Sequence, residues 1–398
     1  MNKDQIMLQA AYLAKQGKGK TAPNPCVGAV IVKDGQIVAR GWHKAYGQAH
    51  AEVEAITEAR NKGVDLKNTS LFVTLEPCNH YGKTPPCTRA ILEAGIKKVF
   101  VGARDPNPHV QGGGIEFLRA NGVRVEAGIL EEECRDLIAD FIAWTQEKRP
   151  YSYLKIASTL DGKIATYNGH SKWITSHKAR EEVHRLRSQV GAVIVGGNTF
   201  YADNPKLTCR LEGDELAQPL AVIVTSRLPE TDDSFYLLSE RAAQTVFWTT
   251  EEKASSSQAE RLRSLGCQVW GLPLEAEKQG SWEAGKLERG EDTEKQNVES
   301  QRRGFDLRSG FDRLFQEYKI YYTLCEGGGR LALSLLEQDL VDELCLFLAP
   351  KILGDNAATS SFSGRKVESM DEAINFRLTD LSRIGPDIFL RLMKNRDN

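Results

Sequence analysis

The sequence predicts two consecutive α/β domains. Its 398 residues exceed the usual size of one domain, and each half is long enough to bury a core of its own. In both halves, strand-like apolar runs alternate with helical patterns, as they do in α/β proteins. A polar stretch closed by proline, residues 146–150, separates the halves and is typical of a linker. We therefore expect a first domain at residues 1–147 and a second at residues 151–398.

The first domain starts with a helix and a hairpin. Apolar residues between Ile6 and Ala14 recur at helical spacing. The strand-like runs that begin at Val27 and Ile37 are joined through Asp34-Gly35, which is a strong hairpin signal. The elements expected after the hairpin are a helix at 49–60, a strand at 71–75, a helix at 87–95 and a strand at 98–102.

The second domain repeats the alternation of strands and helices. A helix is predicted from Leu331, directly after a glycine run. The expected strands lie at 151–157, 190–196, 220–225, 245–248, 321–325 and 343–348. Residues 275–309 interrupt this series, and their apolar side chains are too few to offset the entropy of ordering. We expect a flexible surface insertion there, with a pair of solvated helices as the alternative.

Composition limits the classes of function. With 41% hydrophobic and 27% charged residues and no apolar run long enough to span a bilayer, the chain reads as a soluble protein without a membrane partner. The first residues contain no apolar signal region, so a cytoplasmic location is expected. The 52 basic residues nearly balance the 54 acidic ones, which gives no electrostatic case for a nucleic-acid partner. A small-molecule substrate is therefore favoured.

The eight cysteines are far too sparse for a disulfide scaffold in a chain of this length. Cys78 and Cys87 belong to a metal-like motif. The others have no ligand-like spacing and are expected to be packed, reduced thiols: Cys26, Cys134, Cys209, Cys267, Cys325 and Cys345.

Two segments carry residues that suit a catalytic zinc site. His50 and Glu52 open a predicted helix, so His50 can face an ion while Glu52 reaches a water bound to it. Cys78 follows a strand and Cys87 begins the next helix, whose dipole stabilises a nearby thiolate. As ligands, His50, Cys78 and Cys87 leave the fourth position of a tetrahedral zinc site open, as catalysis requires. We expect one Zn²⁺ per chain.

This arrangement indicates hydrolytic deamination of an amino-substituted, cytosine-like ring. Glu52 is predicted to be the catalytic proton shuttle: it takes a proton from the water and delivers protons to the ring nitrogen and the departing ammonia. The general zinc-deaminase signature has two residues between its cysteines, whereas eight separate Cys78 from Cys87. An H-x-E triplet alone is usually a solvated helix face, so the prediction depends on both segments occurring together.

Three further polar residues are weaker candidates for the same pocket. Asn24 can recognise a ring, since an amide both donates and accepts, although an Asn before Pro is more commonly a turn former. His43 and His80 can line the pocket and rank below the metal set.

The motifs together identify a family: the chain resembles the bifunctional riboflavin-biosynthesis proteins, in which a pyrimidine deaminase is fused to a reductase. The resemblance covers nearly the whole chain, and a long loop between the two cysteines is normal in that family. Its carriers are the motifs that begin at Asn24 (Asn-Pro-Cys-Val-Gly-Ala-Val), His50 (His-Ala-Glu), Glu76 (Glu-Pro-Cys-Asn-His-Tyr-Gly-Lys-Thr-Pro-Pro-Cys), Ser158 (Ser-Thr-Leu-Asp-Gly-Lys), Ser171 (Ser-Lys-Trp-Ile-Thr), Asp203 (Asp-Asn-Pro-Lys-Leu-Thr-Cys-Arg) and Glu326 (Glu-Gly-Gly-Gly-Arg).

The resemblance implies a cytidine-deaminase-like three-layer sandwich followed by a dihydrofolate-reductase-like α/β domain. The first domain would be a zinc-dependent pyrimidine deaminase that converts a diamino-pyrimidinone ribosylamine phosphate to the corresponding uracil. The second would reduce the ribosyl group to ribityl with NADPH. Family members often pair, which leaves a homo-oligomer open.

The resemblance also implies two sets of site residues in the second domain. Those that contact NADPH are Ala157, Trp173, Thr199, Asp203, Ser226, Gly328 and Gly329. Those that face the substrate are Ser171, Arg187, Leu207, Arg210 and Glu326. Arginines suit a phosphorylated substrate, because a guanidinium makes paired charge-assisted bonds to phosphate oxygens. Without the resemblance, Arg187 would read as a solvated helix residue, Trp173 as a core aromatic and the glycine run as an ordinary turn.

Two other functions stay open from the sequence. One is a nucleic-acid-editing deaminase whose second domain is a binding module, although that domain shows neither a basic stripe nor interleaved aromatics. The other is a family member in which only one domain is active. The presence of both motif sets favours a bifunctional enzyme.

Overall fold

The structure is a computed structural model that describes residues 1–82, 85–107, 113–211, 217–229, 235–275 and 304–395. The chain divides into two compact units, Met1–Tyr151 and Ser152–Asn398. In the described part of the chain, no helix is both long enough and apolar enough to cross a membrane.

The elements of the first unit in chain order are α1 (Lys3–Lys15), β1 (Gly28–Lys33), β2 (Gln36–Trp42), α2 (Ala51–Asn61), β3 (Ser70–Leu75), α3 (Cys87–Glu93), β4 (Lys98–Ala103), α4 (Gly114–Ala120), β5 (Arg124–Ala127), α5 (Glu131–Leu137) and α6 (Ala139–Ile142), followed by a π-helical turn (Ala143–Glu147). The strands form one sheet with the order β2-β1-β3-β4-β5. Strand β1 is antiparallel to β2 and β3, whereas β3, β4 and β5 are parallel to one another.

The predicted hairpin is confirmed between β1 and β2. Lys33 pairs with Gln36, and the two residues between them, Asp34 and Gly35, both have positive φ angles of 48° and 75°. Such angles match the right-handed twist of the flanking strands, which explains why the Asp-Gly sequence forms this turn.

Helices cover both faces of this sheet. A Cβ at Gly28 would lie 2.0 Å from the carbonyl oxygen of Ala10 in α1, and one at Gly41 would lie 2.3 Å from that of Ala51 in α2. Gly41 is the partner of Ala29, whose side chain points to the face opposite that of Gly28 because successive residues of a strand alternate. The unit is therefore the three-layer sandwich that was predicted, and α2 packs on the sheet closely enough to fix where that helix begins.

The second unit contains a larger sheet with the order β11-β10-β9-β8-β12-β6-β13-β16-β15. Its strands are β6 (Tyr151–Thr159), β8 (Ala192–Gly196), β9 (Leu220–Val224), β10 (Thr245–Thr250), β11 (Gln268–Leu272), β12 (Tyr322–Cys325), β13 (Glu343–Ala349), β15 (Phe376–Ile384) and β16 (Asp387–Lys394); β7 (Lys163–Ala165) and β14 (Thr359–Ser360) form a separate pair. Its helices are α7 (His177–Ser188), α8 (Gly197–Asp203), α9 (Tyr236–Ser239), α10 (Glu251–Ala254), α11 (Ser257–Ser264), α12 (Leu307–Gln316) and α13 (Gly329–Glu337).

Most pairings of this sheet are parallel, and its core is apolar on both sides of the central strands. The pairings that join β11, β10, β9, β8 and β12 are parallel, as is that of β6 with β13. Trp248, Phe311 and Leu335 lie in one buried cluster, which brings β10 together with helices α12 and α13. This is the layered α/β architecture that the alternating pattern predicts.

Several features of the second unit differ from the sequence predictions. Strand β11 and the pair of β7 and β14 were not among the expected strands. The insertion predicted at 275–309 lies mostly outside the described residues, but its last part does not fit an insertion: Phe305 bridges to Leu274, and Leu307 is buried at the start of α12. The antiparallel hairpin of β15 and β16 was not predicted. Strand β15 is mainly exposed and β16 is only partly buried. Neither strand therefore has the continuous apolar run that predicts a central strand.

A fragment of residues 150–398 is expected to fold by itself, because all strands of the nine-stranded sheet lie within it. Thermal unfolding followed by circular dichroism should show one cooperative transition, and the amide proton spectrum should be well dispersed. A fragment that melts without cooperativity, under conditions in which the full chain unfolds cooperatively, would contradict this expectation.

Candidate functional site

His50 directly precedes helix α2. Its backbone is extended, and its carbonyl oxygen accepts a hydrogen bond from Glu54 N at 3.0 Å, which begins the helical ladder. The imidazole does not cap the helix and instead faces Cys78 and Cys87. The close packing of α2 on Gly41 therefore sets the position of His50.

Cys78 and Cys87 are held together by the backbone at the start of α3. Cys78 lies three residues after β3 ends, and Cys87 is the first residue of α3. The Cys87 N–H group donates to Cys78 Sγ at 3.3 Å, and Thr88 N donates to the carbonyl oxygen of Cys78 at 3.2 Å. The loop between the two cysteines can thus be long without separating the thiols.

The three side chains form a cluster that fits a zinc ion. Nδ1 of His50 lies 3.6 Å from Cys78 Sγ and 3.3 Å from Cys87 Sγ, and all three candidate ligand atoms lie within 4.8 Å of one another. One imidazole and two thiolates are ligands that zinc prefers, and three protein ligands leave one tetrahedral position open. The residues present therefore suit the ion on the chemistry of the donor set.

The two thiols share a proton unequally. The thiol of Cys87 hydrogen-bonds to Cys78 and, together with His50 and the Cys87 N–H group, lowers the pKa of Cys78 to about 4. The same contact, with burial, raises the pKa of Cys87 well above its usual value. The lowered pKa of Cys78 favours its thiolate, which is the form that binds a metal.

Glu52 lies in the first turn of α2, two residues beyond His50. Its side chain is buried, with 3% of the residue exposed, and burial raises the pKa of its carboxyl group to about 7. Glu54 in the same turn instead forms an ion pair with Lys44. The fold thus separates one buried carboxyl group beside the metal ligands from an ordinary surface carboxylate.

A cavity of about 400 Å³ opens next to these residues. Its wall includes His50, Glu52 and Cys78 together with all three weaker candidates, Asn24, His43 and His80. It also includes residues that were not predicted from the sequence: Tyr46, Gln48, Glu76, Asp105, Asn107 and Phe141. Apart from Glu76, which begins the motif that contains Cys78, these residues come from separate segments that no common sequence pattern indicates.

Asn24 and His43 fix one another at this wall. His43 Nδ1 lies 3.1 Å from the carbonyl oxygen of Ala49, so this nitrogen carries the proton and Nε2 is an acceptor. Asn24 Nδ2 lies 3.3 Å from His43 Nε2 and donates to it. The remaining oxygen of the Asn24 amide is then an acceptor at the cavity wall.

In the second unit, most of the predicted residues follow the carboxyl ends of neighbouring strands. Ala157 lies near the end of β6. Thr199 and Asp203 lie in α8, directly after β8. Glu326, Gly328 and Gly329 follow β12, and Ser226 follows β9. Because β9, β8, β12 and β6 are neighbours in the sheet, these residues lie along one edge, where α/β sheets bind ligands.

The glycine run is packed between these strand ends. A Cβ at Gly327 would lie 3.2 Å from Gly196 N and from Thr199 Oγ1, so a larger residue would fit only if these neighbours shifted slightly. Gly328 has a φ of 61° and faces open space, with nothing within 4 Å of an added Cβ. The exposed backbone at Gly328 therefore fits a nicotinamide cofactor whose phosphates approach the main chain.

Arg187 and Glu326, both predicted to face the substrate, form an ion pair with each other. The Arg187 guanidinium donates to both carboxylate oxygens, Nη2 at 2.9 Å from Oε2, and its Nη1 donates to the Thr208 carbonyl oxygen at 2.9 Å. The two side chains are only 13% and 8% exposed. The alternative interpretation of Arg187 as a solvated helix residue is therefore wrong.

Leu207 and Arg210 lie in the loop that follows α8. Leu207 is buried and has a left-handed backbone with φ 49°. Arg210 is exposed, and its backbone N–H group donates to His184 Nδ1 at 3.3 Å. The buried hydroxyl of Thr208, between them, has no hydrogen-bond partner among the described residues, so this loop has an unmet polar group beside the Arg187 pair.

Ser171 and Trp173 lie apart from the strand ends, in the segment between β7 and α7. Trp173 is 64% exposed, so it is not a core aromatic. The guanidinium of Arg180 lies 4.2 Å from the centre of its ring, and Lys351 Nζ donates to its carbonyl oxygen at 2.8 Å. An exposed aromatic ring that is held by neighbours in this way is available to a ligand.

Sequence reasoning missed one charged residue of this region that does leave a signal. Lys155 lies in the middle of β6, a strand of otherwise mainly buried residues, and it interacts electrostatically with Glu326 and Arg187. Burial lowers the pKa of its ammonium group. A lysine inside an apolar strand of a parallel sheet is unusual enough to indicate a functional position.

Comparisons with known families agree with this division into sites. Residues 1–103 match the family "Cytidine and deoxycytidylate deaminase zinc-binding region". This match includes His50, Cys78 and Cys87. Residues 150–390 match the family "RibD C-terminal domain". The remaining cysteines, Cys26, Cys134, Cys209, Cys267, Cys325 and Cys345, are buried and free, as predicted.

Full-length relatives are similar over almost the entire chain. The riboflavin biosynthesis protein RibD of Aquifex aeolicus is 39% identical over 384 residues, which is 96% of each chain. Escherichia coli RibD is 34% identical and covers 99% of this chain. The crystal structure of the Thermotoga maritima deaminase/reductase is 37% identical, with a TM-score of 0.72 and 99% of both chains covered. The chain therefore belongs to the RibD family of riboflavin biosynthesis proteins and is a bifunctional enzyme with a deaminase domain and a reductase domain.

Proposed function

We propose that the first unit deaminates diaminohydroxyphosphoribosylaminopyrimidine and that the second unit reduces 5-amino-6-(5-phosphoribosylamino)uracil with NADPH. The Thermotoga maritima relative is named for a deaminase and a reductase that act on these two compounds. The observation that carries the first activity is the cluster of His50, Cys78 and Cys87 beside the buried carboxyl group of Glu52.

In the first unit, His50, Cys78 and Cys87 would hold one zinc ion per chain. When bound, the ion supplies a Lewis acid that lowers the pKa of water to roughly 7. Glu52 accepts the proton of the attacking water and passes protons to the ring nitrogen and then to the amine that leaves as ammonia. The Asn24 amide oxygen is oriented by His43 to accept from a ring substituent. The cavity of about 400 Å³ is large enough to hold a pyrimidine ring.

In the second unit, the strand-end residues and the backbone at Gly328 would bind NADPH, which supplies the hydride. We infer that Ala157, Thr199, Asp203, Ser226 and Gly329 contribute to the same site and that Trp173 adds an exposed ring. Arg210 is exposed and its guanidinium lies near His184, with Nη2 3.4 Å from Nε2, whereas the guanidinium of Arg187 is bound to Glu326 and Thr208. Arg210 therefore suits the substrate phosphate. We infer that Arg187, together with Glu326, Ser171 and Leu207, lines the substrate site.

The proposed function is tested by incubating the purified chain with the diaminopyrimidine substrate, with and without NADPH, and identifying the products by mass spectrometry. Without NADPH, the uracil and ammonia are expected. With NADPH, the ribityl product and oxidised cofactor should form. Release of ammonia without NADPH oxidation, or the reverse, would restrict the chain to one activity, and deamination of oligonucleotides would favour an editing enzyme.

Replacing either Cys78 or Cys87 with Ser is expected to abolish zinc binding and deamination together, because a serine hydroxyl is a much poorer zinc ligand than a thiolate. Metal content measured by mass spectrometry should fall from about one ion per chain to near zero. Cys134→Ser is the matched control, because this buried thiol lies in the same unit and is not part of the cluster. The Cys134→Ser variant should keep about one zinc ion per chain. Full zinc content in the Cys78 and Cys87 variants would remove these residues from the site.

Glu52→Gln should keep zinc and the fold but lose deamination by a factor on the order of 100 or more, because an amide cannot accept and return a proton. Glu54→Gln, in the same helical turn but half-buried and paired with Lys44, serves as the control and should retain activity. Both variants should reduce the uracil substrate normally. Near-normal turnover by Glu52→Gln would assign the proton transfer to another group.

Arg210→Ala should raise the KM for the uracil substrate by about tenfold or more and leave the KM for NADPH unchanged, because a lost phosphate contact weakens substrate binding alone. Arg187→Ala should also raise this KM, but with a loss of stability of about 3–5 kcal/mol, since it leaves Glu326 buried without its partner. Steady-state kinetics and urea unfolding measure the two effects. A selective increase in the KM for NADPH would show that these arginines serve the cofactor instead.

A further inference from the structure

The loop of residues 206–210, here called the substrate loop, is held by side chains from other segments. Arg241 donates to the carbonyl oxygens of Lys206 and Leu207, and Arg187 to that of Thr208. Gln218 accepts from Cys209 N at 2.9 Å and donates to Cys209 O at 3.2 Å. None of its backbone groups forms a strand or helix bond with a described residue, so these side chains determine its shape.

Arg241 makes the largest contribution to this arrangement. Its Nη1 lies 2.9 Å from Lys206 O and 3.1 Å from Leu207 O, and its Nη2 lies 2.6 Å from Pro219 O. Nε and Nη2 also donate to Gln244 Oε1, at 3.1 and 3.0 Å, which orients the guanidinium. One side chain thus ties the first two residues of the substrate loop, and Pro219 directly before β9, to the turn before β10.

The burial of Arg241 has no simple electrostatic explanation. The residue is 7% exposed, and no described carboxylate forms an ion pair with it. A buried cation that bonds to carbonyl oxygens is held in place by the chain that it organises, because an arginine's fixed fork of donors can reach several oxygens at once. Hydrophobic packing alone would not require a guanidinium here.

The bonds of Arg241 fall where the substrate loop has an unfavourable conformation. Leu207 adopts a left-handed backbone with φ 49°, which costs energy for a branched aliphatic residue and persists only when the surroundings impose it. Arg241 binds the carbonyl oxygens of Leu207 and of the residue before it. Three residues further on lies Arg210, whose guanidinium is exposed and whose backbone is held by His184.

We propose that Arg241 is a positioning residue for the reductase substrate. It holds the substrate loop in the conformation in which Leu207 and Arg210 contact the phosphorylated uracil. This inference rests on the proposed function, in which these two residues face the substrate. Arg241 itself is too buried to touch the substrate and acts through the loop. Arg241 should influence the binding of the pyrimidine substrate and not the binding of NADPH. Its hydrogen-bond acceptors belong to Lys206, Leu207, Pro219 and Gln244, and none of these is among the residues proposed to bind the cofactor.

The test compares Arg241→Ala and Arg241→Lys in the full chain with Arg263→Ala as the matched control. Arg263 lies in the same unit and likewise bridges two backbone carbonyl oxygens, those of Ala254 and Val269, but it does not contact the substrate loop. For each protein, kcat and the KM values for the uracil substrate and NADPH are measured, together with the melting temperature and the deamination rate.

Arg241→Ala is expected to raise the KM for the uracil substrate by about tenfold or more while kcat and the KM for NADPH stay within about twofold, because a displaced contact weakens binding more than the chemical step. Arg241→Lys should show a smaller increase, since one ammonium group can still bond to a loop carbonyl oxygen. Arg263→Ala should lower the melting temperature without changing either KM. Deamination should be unchanged in all three variants.

An unchanged KM for the uracil in the Arg241 variants would overturn the proposal, as would a parallel change of kcat and both KM values or an equal KM effect in Arg263→Ala. If Arg241→Ala does not fold, Arg241→Lys decides by the same criteria. Failure of the proposed function gives a different result: the unsubstituted chain would then not reduce the uracil at all, whereas failure of this inference alone leaves that activity normal.

Discussion

Strands that run in the same direction end at the same edge of a sheet, and both sites depend on this constraint. In the first unit, β2 and β3 are both antiparallel to β1, so the segments that leave them, with His50 and Cys78, start from one edge. In the second unit, β8 and β12 are parallel neighbours, and Thr199 and Glu326 follow their ends. Side chains far apart in the sequence meet there without any dedicated interaction between the segments.

The sequence predicted the first site more completely than the second because its residues stand next to the ends of elements. His50 immediately precedes α2 and Cys87 begins α3, so each ligand could be assigned a place once the helices were recognised. The cavity wall was not predictable in the same way. Asp105 and Phe141 reach it from separate connections, and their positions depend on how those segments pack.

The second site was assigned through family resemblance, and its internal contacts could not be predicted from the residues. Arg187 and Glu326 are 139 residues apart, and no spacing rule indicates that they form an ion pair. The buried position of Arg241 could not be predicted either, because an arginine near a short helix is normally a surface residue. Most strands of the described residues were predicted, as were helices α1, α2, α3 and α13, because the periodicity of apolar residues reflects the buried face of an element. Partners across the fold leave no such local pattern.

The two sites differ in how their charges are balanced, and this difference follows from their residues. In the first unit, two thiols and a carboxyl group lie close to one imidazole, and the hydrogen bond between the thiols shifts the pKa of Cys78 down and that of Cys87 up. A divalent cation bound by these side chains would couple metal binding to local stability. In the second unit, Glu326 is already paired with Arg187, and the carbonyl oxygens of residues 206–209 already have donors. The first site therefore offers three donors that an ion would complete, whereas the second is organised largely by its own side chains.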